Sequence, residues 1–260
     1  IGLYNEPNSL AGAVLIGDLP YVRYEMWQDW GDGNEYEAFI CDLYFMDMTG
    51  QWQDEFDYFD ENILDKWQDD PAKEIEIWVS RIRADNLPAA GDEISLIQTY
   101  FQKNHAVRSE VFAENLEALV YNDDHWEHLG DDDFDNLSLV MDPGLISVFS
   151  LPEQTTASDY KSYRMTGPYH MVSLRSHGSS TSHSFYEQNI PKAVKANDYL
   201  LKDPAAVMYS LFVCSGCDFT QNGNLASTIV LNQQSSALAA WGSTKTGGMY
   251  NEYRFYESLA

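Results

Sequence analysis

The chain has 260 residues, of which 41 are acidic and 15 basic, for a formal net charge of −26. That balance excludes a nucleic-acid-binding surface, which needs clustered Lys and Arg to neutralise phosphates; it suits an extracellular or high-salt setting, or calcium binding. With 44% hydrophobic and 14% aromatic residues the chain can bury a full core, as one large or two smaller domains, and no run approaches the roughly 18 apolar residues of a membrane span.

In chain order, residues 11–18, 36–46 and 74–82 read as strands, and 93–105 as an amphipathic helix with Ile94, Ile97, Tyr100 and Phe101 on one side. A second helix is expected over 108–116. The break near 105–110 divides the chain into an N-terminal α/β subdomain, 1–107, and a second subdomain, 108–260. In the latter, 118–121 and 145–149 read as strands. Two further apolar runs end on reactive side chains. Tyr169 to Leu174 leads into Arg175-Ser176-His177-Gly178, and Val207 to Val213 leads into Cys214.

A parallel sheet carries its chemistry beyond the carboxyl ends of its strands, so these two ends, 37 positions apart in sequence, can be neighbours in space. A thiol with a pKa near 8.5 is only a few per cent thiolate at neutral pH, and an adjacent imidazole activates it. Histidine also returns the proton to a leaving amine. Gly178 permits close approach of a scissile carbonyl, and its amide together with that of Cys214 could bind an oxyanion. The residues describe a cysteine peptidase, with the small polar stretch 179–182 leaving the site open.

Two acidic segments carry further signals. The run from Asp47 through Gly50, Asp54 and Asp57 to Asp60 spaces oxygen donors around a bend, as a calcium loop requires. The segment Asn122-Asp123-Asp124-His125-Trp126, continuing to Asp131-Asp132-Asp133-Phe134-Asp135, leaves a strand that should neighbour the histidine strand. One of its carboxylates could therefore orient His177 through the nitrogen turned away from Cys214. His125 and His128 could stabilise this loop or bind a metal, and His183 reads as a loop residue or cleft wall. Cys214-Ser215-Gly216-Cys217, taken with His177 and His183, can be written as a zinc site, but no second Cys-x-x-Cys exists and the pair ends an apolar strand. Three cysteines cannot all pair within one chain; if Cys214 stays a thiol, Cys41 and Cys217 are the available couple.

The segment Phe212-Val213-Cys214-Ser215-Gly216-Cys217-Asp218-Phe219, the helix-like 225–230 and the following Ala239-Ala240-Trp241-Gly242-Ser243-Thr244 resemble the nucleophile region of the gingipain family, which are caspase-fold cysteine endopeptidases. Upstream, Ala13 to Asp18, Cys41 to Asp47 and Ile75 to Ile82 are similar to other blocks of that family. The resemblance implies an α/β fold, a caspase-like and mostly parallel sheet flanked by helices in an αβα sandwich, with a smaller N-terminal α/β subdomain. It implies Cys214 as nucleophile, Asp123 or Asp124 as the acid behind His177, with Asp124 preferred, and an arginine-binding acid at Asp135. It implies Trp241, Ser243 and Met249 as further pocket wall, and a loop of the calcium-binding kind around Trp52. The expected activity is cleavage of protein or peptide substrates after Arg or Lys, with no cofactor for catalysis and calcium in a structural role. The alternative is a catalytically silent relative acting as a secreted or surface binding module. The chain reads as a piece of a longer secreted protein with flanking domains, ending in a helix cut short.

Overall fold

The computed structural model describes residues 10–29, 34–54, 63–67, 75–109, 117–247 and 252–260. Two compact units divide the chain, Ile1–Arg83 and Ala84–Ala260. In the first, β1 (Gly12–Ile16) precedes a hairpin of β2 (Arg23–Asp29) and β3 (Asn34–Ile40); α1 (Leu43–Met46), β4 (Trp52–Gln53), β5 (Lys66–Trp67) and β6 (Trp78–Ile82) follow. β1 runs parallel to β6, while β2 with β3 and β4 with β5 are antiparallel. The strand expected over 36–46 therefore stops at Ile40, and its last four residues form a single helical turn. Arg81 holds the entry to that turn, donating through Nε and Nη2 to the Asp42 carboxylate at 2.7 and 2.9 Å.

The second unit starts with α2 (Glu93–Ser109), then β7 (Glu117–Asn122), α3 (Gly130–Leu137), β8 (Ile146–Phe149), α4 (Ala157–Asp159) and β9 (Tyr169–Arg175). A meander of β10 (His177–Ser179), β11 (Ser182–Glu187) and β12 (Ile190–Lys195) follows, then α5 (Ala196–Leu200), β13 (Met208–Phe212), α6 (Leu225–Leu231), β14 (Ala239–Gly242) and α7 (Glu252–Leu259). α2 runs on across the expected break as far as Ser109, taking the first two residues of the helix expected over 108–116, whose remainder lies outside the described residues; the compact units divide at 83/84 rather than 107/108. The reason is how α2 is fastened. Tyr100 Oη donates to Leu238 O at 3.1 Å, and Lys103 Nζ donates to Val230 O at 2.5 Å and Ser235 O at 3.0 Å. Its buried side is thus Leu96, Tyr100 and Lys103, at i, i+4 and i+7, and the expected Ile94 and Phe101 stand exposed.

Five strands form one sheet in the order β14-β13-β9-β7-β8, every neighbouring pair parallel. Alternate residues divide between two cores, as the two-residue period of a strand requires. Leu119, Tyr121, Val172, Leu174, Tyr209 and Leu211 pack with Leu225 and Ile229 of α6 on one face. Ala118, Val120 and Met171 pack with Leu137 of α3 and Tyr256 of α7 on the other, joined by Met208 and Trp241. With helices on both faces the unit is an αβα sandwich, the α/β class expected and consistent with a caspase-like arrangement. No helix among the described residues is long and apolar enough to cross a membrane.

Strand order locates the chemistry. From β7 the chain moves outward to β8, then returns to β9 on the other side and proceeds to β13 and β14. The order reverses between β7 and β9, and open α/β sheets form their ligand crevice at the carboxyl ends of strands flanking such a reversal.

Candidate active site

The residues that leave β7, β9 and β13 meet at that crevice. Asn122 and Arg175 are in register across β7 and β9, and Arg175 and Phe212 across β9 and β13. Two positions beyond each of these three residues stand Asp124, His177 and Cys214. Asp123 N donates to Arg175 O at 2.8 Å and Ser176 N to Phe212 O at 3.1 Å, so the strands stay laced together up to this level. The expected juxtaposition of the Cys214 and His177 strand ends is therefore present. Among the described residues no hydrogen bond joins the two side chains; the Cys214 Sγ accepts from Gly247 N at 3.3 Å.

Gly178 lies tight against the cysteine strand. A Cβ there would stand 2.3 Å from Ser182 O and 2.5 Å from Val213 Cγ1, so no larger residue fits. Gly178 faces His183 in the β10–β11 ladder, with Ser179 paired to Ser182 around the two-residue turn at 180–181. Antiparallel pairs alternate between bonded and non-bonded, which turns the Gly178 amide away from β11. The hairpin is anchored by Ser180 O, which accepts from Leu225 N at 2.7 Å at the start of α6. The stretch 179–182, expected as open polar chain, is thus the last residue of β10, the turn and the first residue of β11 in the meander. That meander is legible in retrospect from the alternation of buried His183 and Phe185 with Ser182, Ser184 and Tyr186, and from Gln188-Asn189, whose φ of 52° and 64° make a hairpin turn.

The thiol turn is built by its own backbone. Ser215 takes a left-handed φ of 54°, held by its N–H to Lys245 O at 2.8 Å, and Gly216 N donates back to Val213 O at 3.0 Å. Cys217 N donates to Ser243 O at 3.0 Å, which lays the segment after β14 alongside the turn. Gly247, at φ 91°, has the backbone freedom to aim its N–H at the thiol. Burial pushes the Cys217 thiol up to about 12, which makes it a packing residue against Gly242 and leaves Cys214 as the thiol of the crevice. Cys41, Cys214 and Cys217 are all free thiols.

His177 is enclosed by aromatic rings. Trp126 lies 4.6 Å from it between centroids, His125 4.8 Å and Tyr186 5.0 Å. Its Nε2 is 2.6 Å from His125 Nδ1. Burial holds the His177 pKa below its ordinary value, His125 adds to that, and Asp124 pulls the other way. The two candidate carboxylates are used differently from expectation. Asp123 is fully buried and accepts from His125 N at 3.3 Å and Tyr186 N at 2.9 Å, so it shapes the loop. Burial, reinforced by a hydrogen bond with Asp124, raises its pKa to about 7. Asp124 Oδ1 lies 3.9 Å from His125 Nε2, beyond hydrogen-bond reach, and is buried without a hydrogen-bond partner, so it acts on the histidines through its charge. His125 is the partner that residue counting passed over; the argument that nominated Asp124 applied equally to its neighbour.

The acidic run after β7 is not a loop but a short 3₁₀ turn, Asp124–Leu129, followed by α3. Asp131, Asp132 and Asp133 occupy the first turn of α3, where acids complement the helix dipole. Asp135 stands exposed on α3. Two residues earlier Asp133 is buried and paired with Arg175, and Arg175 also lies over the Phe212 ring at 4.8 Å. A cleft of about 380 Å³ opens between the ends of β7 and β8, lined by Asp124, Glu127, His128, Asp131, Ser150 and Leu151. Trp241, half-buried, packs against Phe255 on the α3/α7 face, 5.1 Å between centroids, at the edge of the core there. Ser243 Oγ donates to Lys245 O at 2.9 Å, shaping the segment beside the thiol turn. Met249 lies outside the described residues.

Two groups of donors bear on metals. Asp123, Asp124 and His125 offer atoms within 4.8 Å of one another, the one such group among the described residues. Asp123 already accepts from two amides and His125 Nδ1 is taken up by His177, while Asp124 Oδ1 is buried with no hydrogen-bond partner. In the calcium segment, Asp47 Oδ1 accepts from Thr49 N at 3.1 Å and from Gly50 N, which folds the carboxylate into its own turn. Asp54 is described; Asp57 and Asp60 lie outside the described residues.

No protein-family model, curated protein or solved structure matches this chain.

Proposed function

We propose that this chain is a cysteine endopeptidase that cleaves peptide bonds after a basic residue. The observation that carries the proposal is the pair of adjacent parallel strands on which His177 and Cys214 each stand two positions past the registered residues Arg175 and Phe212, with Gly178 pressed against Val213. It lies at the reversal of strand order, where α/β sheets hold ligands. Catalytic contacts are commonly long in the unliganded state and close on substrate, which accounts for the thiol resting on Gly247.

In the proposed reaction, His177 takes the Cys214 proton and the thiolate attacks the scissile carbonyl carbon. The carbonyl π electrons move onto oxygen, where the Gly178 and Cys214 amides stabilise the charge. As the tetrahedral species collapses, the C–N bond breaks and His177 gives its proton to the leaving amine, leaving a thioester. Water, deprotonated by His177, then attacks the thioester; the C–S bond breaks and the proton returns to Cys214. Preference for a basic side chain is supported by Glu127 and Asp131 on the cleft of about 380 Å³, and in this reading these two acids take the role first expected of Asp135.

The test is hydrolysis of a fluorogenic peptide panel with Arg, Lys, Asn, Asp or Leu at P1, with and without calcium, by wild type, Cys214→Ala and Cys217→Ala. Cleavage after Arg or Lys that only Cys214→Ala abolishes is the expected result. A second reading, a silent secreted binding module, draws on the thiol's bond to Gly247 and its lack of one to His177. A folded wild type that hydrolyses no peptide in the panel favours it.

A further inference from the structure

We infer that His125 is a positioning residue of the site, one that fixes which nitrogen of His177 faces Cys214. The inference rests on the peptidase reading of His177 and Cys214, and deepens it. His125 sits in the first turn after β7, and its Nδ1 lies 2.6 Å from His177 Nε2, with the rings at 89°. Two imidazole nitrogens at that distance share a single proton: one donates and the other must be bare.

The surroundings decide which. His125 is stacked on Tyr186, 4.6 Å between centroids and 29° between planes, so its ring cannot turn freely. Its second nitrogen, Nε2, is 3.9 Å from Asp124 Oδ1. A carboxylate on that side favours the tautomer with hydrogen on Nε2, which leaves His125 Nδ1 as an acceptor. The bridging proton then belongs to His177 Nε2, and His177 Nδ1 is a bare lone pair available to the thiol. When His177 accepts the thiol proton, the Nε2–H to His125 bond becomes charge-assisted and strengthens as the thiolate forms. Asp124 biases the His125 tautomer through its charge alone, and His125 keeps its own proton throughout.

The ionisable groups facing this pair come from each neighbouring element. Asp123 and Asp124 approach from the β7 turn, Tyr186 from β11 and Cys214 from the turn after β13. Arg175, two residues before His177, is neutralised by Asp133 of α3. Burial first and His125 second keep the His177 pKa below its ordinary value, so loss of His125 moves it up.

Two measurements test the inference. In Cys214→Ala protein labelled with ¹⁵N-histidine, long-range ¹H–¹⁵N spectra above the His177 pKa should show hydrogen on Nε2 and none on Nδ1. The opposite tautomer overturns the inference, and this readout needs no activity. In enzyme with Cys214 intact, His125→Ala should lower kcat by about 10²-fold with little change in KM and move the acid limb of the kcat/KM profile to higher pH. His125→Asn, which keeps an acceptor near the Nδ1 position, should restore most of the rate. Should Cys214-dependent cleavage persist with kcat and acid limb unmoved in His125→Ala, the peptidase reading stands and this inference falls. If wild type cleaves nothing while the spectra show a bare His177 Nδ1, the histidine pairing stands and the peptidase reading falls.

Discussion

Arg175 and Asp133 form a two-pronged ion pair two residues ahead of His177, Nε to Oδ2 at 2.6 Å and Nη2 to Oδ1 at 2.5 Å. Both side chains are buried, and Asn122 Nδ2 adds a third bond to the carboxylate at 2.8 Å. Asp133→Ala strands a buried guanidinium and should destabilise the protein by about 3–5 kcal/mol. Urea denaturation measures it. A double replacement, Asp133→Leu with Arg175→Met, should lose less than the single one, and a loss below about 1 kcal/mol in Asp133→Ala would show that the pair is not closed as described.

The thiols should separate by reactivity. Iodoacetamide at neutral pH should label Cys214 well before Cys217, whose pKa burial pushes up to about 12, because only the thiolate reacts. Burial raises Cys41 as well. Peptide mapping by mass spectrometry reads the order, and faster labelling of Cys217 than of Cys214 would exchange the two roles.

Gly178→Ala should cost both fold and function. Its methyl group would meet a backbone oxygen, Ser182 O, at 2.3 Å as well as Val213 Cγ1 at 2.5 Å, and the hairpin must shift to admit it. Overpacking of this kind costs about 1–3 kcal/mol. We expect a lower melting temperature together with a kcat/KM reduced at least tenfold, a loss of about 1.4 kcal/mol, since the same shift moves the Gly178 amide. Wild-type kinetics in Gly178→Ala would remove that amide from the oxyanion site.

Charge removal in the cleft should change selectivity rather than chemistry. Glu127 and Asp131 line it without touching His177. Glu127→Gln and Asp131→Asn should each lower kcat/KM for Arg and Lys peptides by about tenfold, the equivalent of 1.4 kcal/mol, and leave the rate of thiol alkylation at Cys214 unchanged. An unaltered preference for basic residues in the double variant would disconnect the cleft from substrate binding.

Two buried groups give opposite dependences of stability on pH. His183 is fully buried, and burial lowers its pKa to about 3. The unfolded chain binds a proton there below about 6.5, so this contribution is complete above that pH and fades as pH falls toward 3. Asp123 is raised to about 7, against about 3.9 when unfolded; its contribution is complete below pH 4 and fades as pH rises through 7. Replacing His183 by Gln should therefore reduce the loss of stability on acidification. Asp123→Asn should reduce the loss between pH 4 and 7. Denaturation midpoints across pH 3–8 distinguish them, and a slope unchanged in both variants would contradict the burial of these groups.

Some of this was legible in the chain and some was not, and the division follows the range of the forces. The runs at β7, β9 and β13 are apolar on both faces because helices cover both sides of the sheet, and continuous hydrophobicity is a local signal. α3 is hidden because its first turn is a glycine and three aspartates, a pattern that suits a solvated loop as well as a helix N-terminus. The buried side of α2 was misjudged through Ile94, whose hydrophobicity matters less than the bonds Tyr100 and Lys103 make to residues more than 120 positions away. That Trp241 turns toward α7 is set by sheet parity and strand order, which no stretch of β14 alone reveals. Asp133 and Asp135 are indistinguishable as letters; Arg175 chooses between them.

An acidic α/β chain with a histidine and a cysteine at the ends of two buried strands can be read from residue order alone, because burial and strand ends are written in local patterns of apolar and turn-forming residues. The tertiary structure decided that β9 lies between β7 and β13, that strand order reverses beside it, and that His125 meets His177. Those are pairings between distant segments, chosen by the packing of the whole sheet, and no local pattern encodes them.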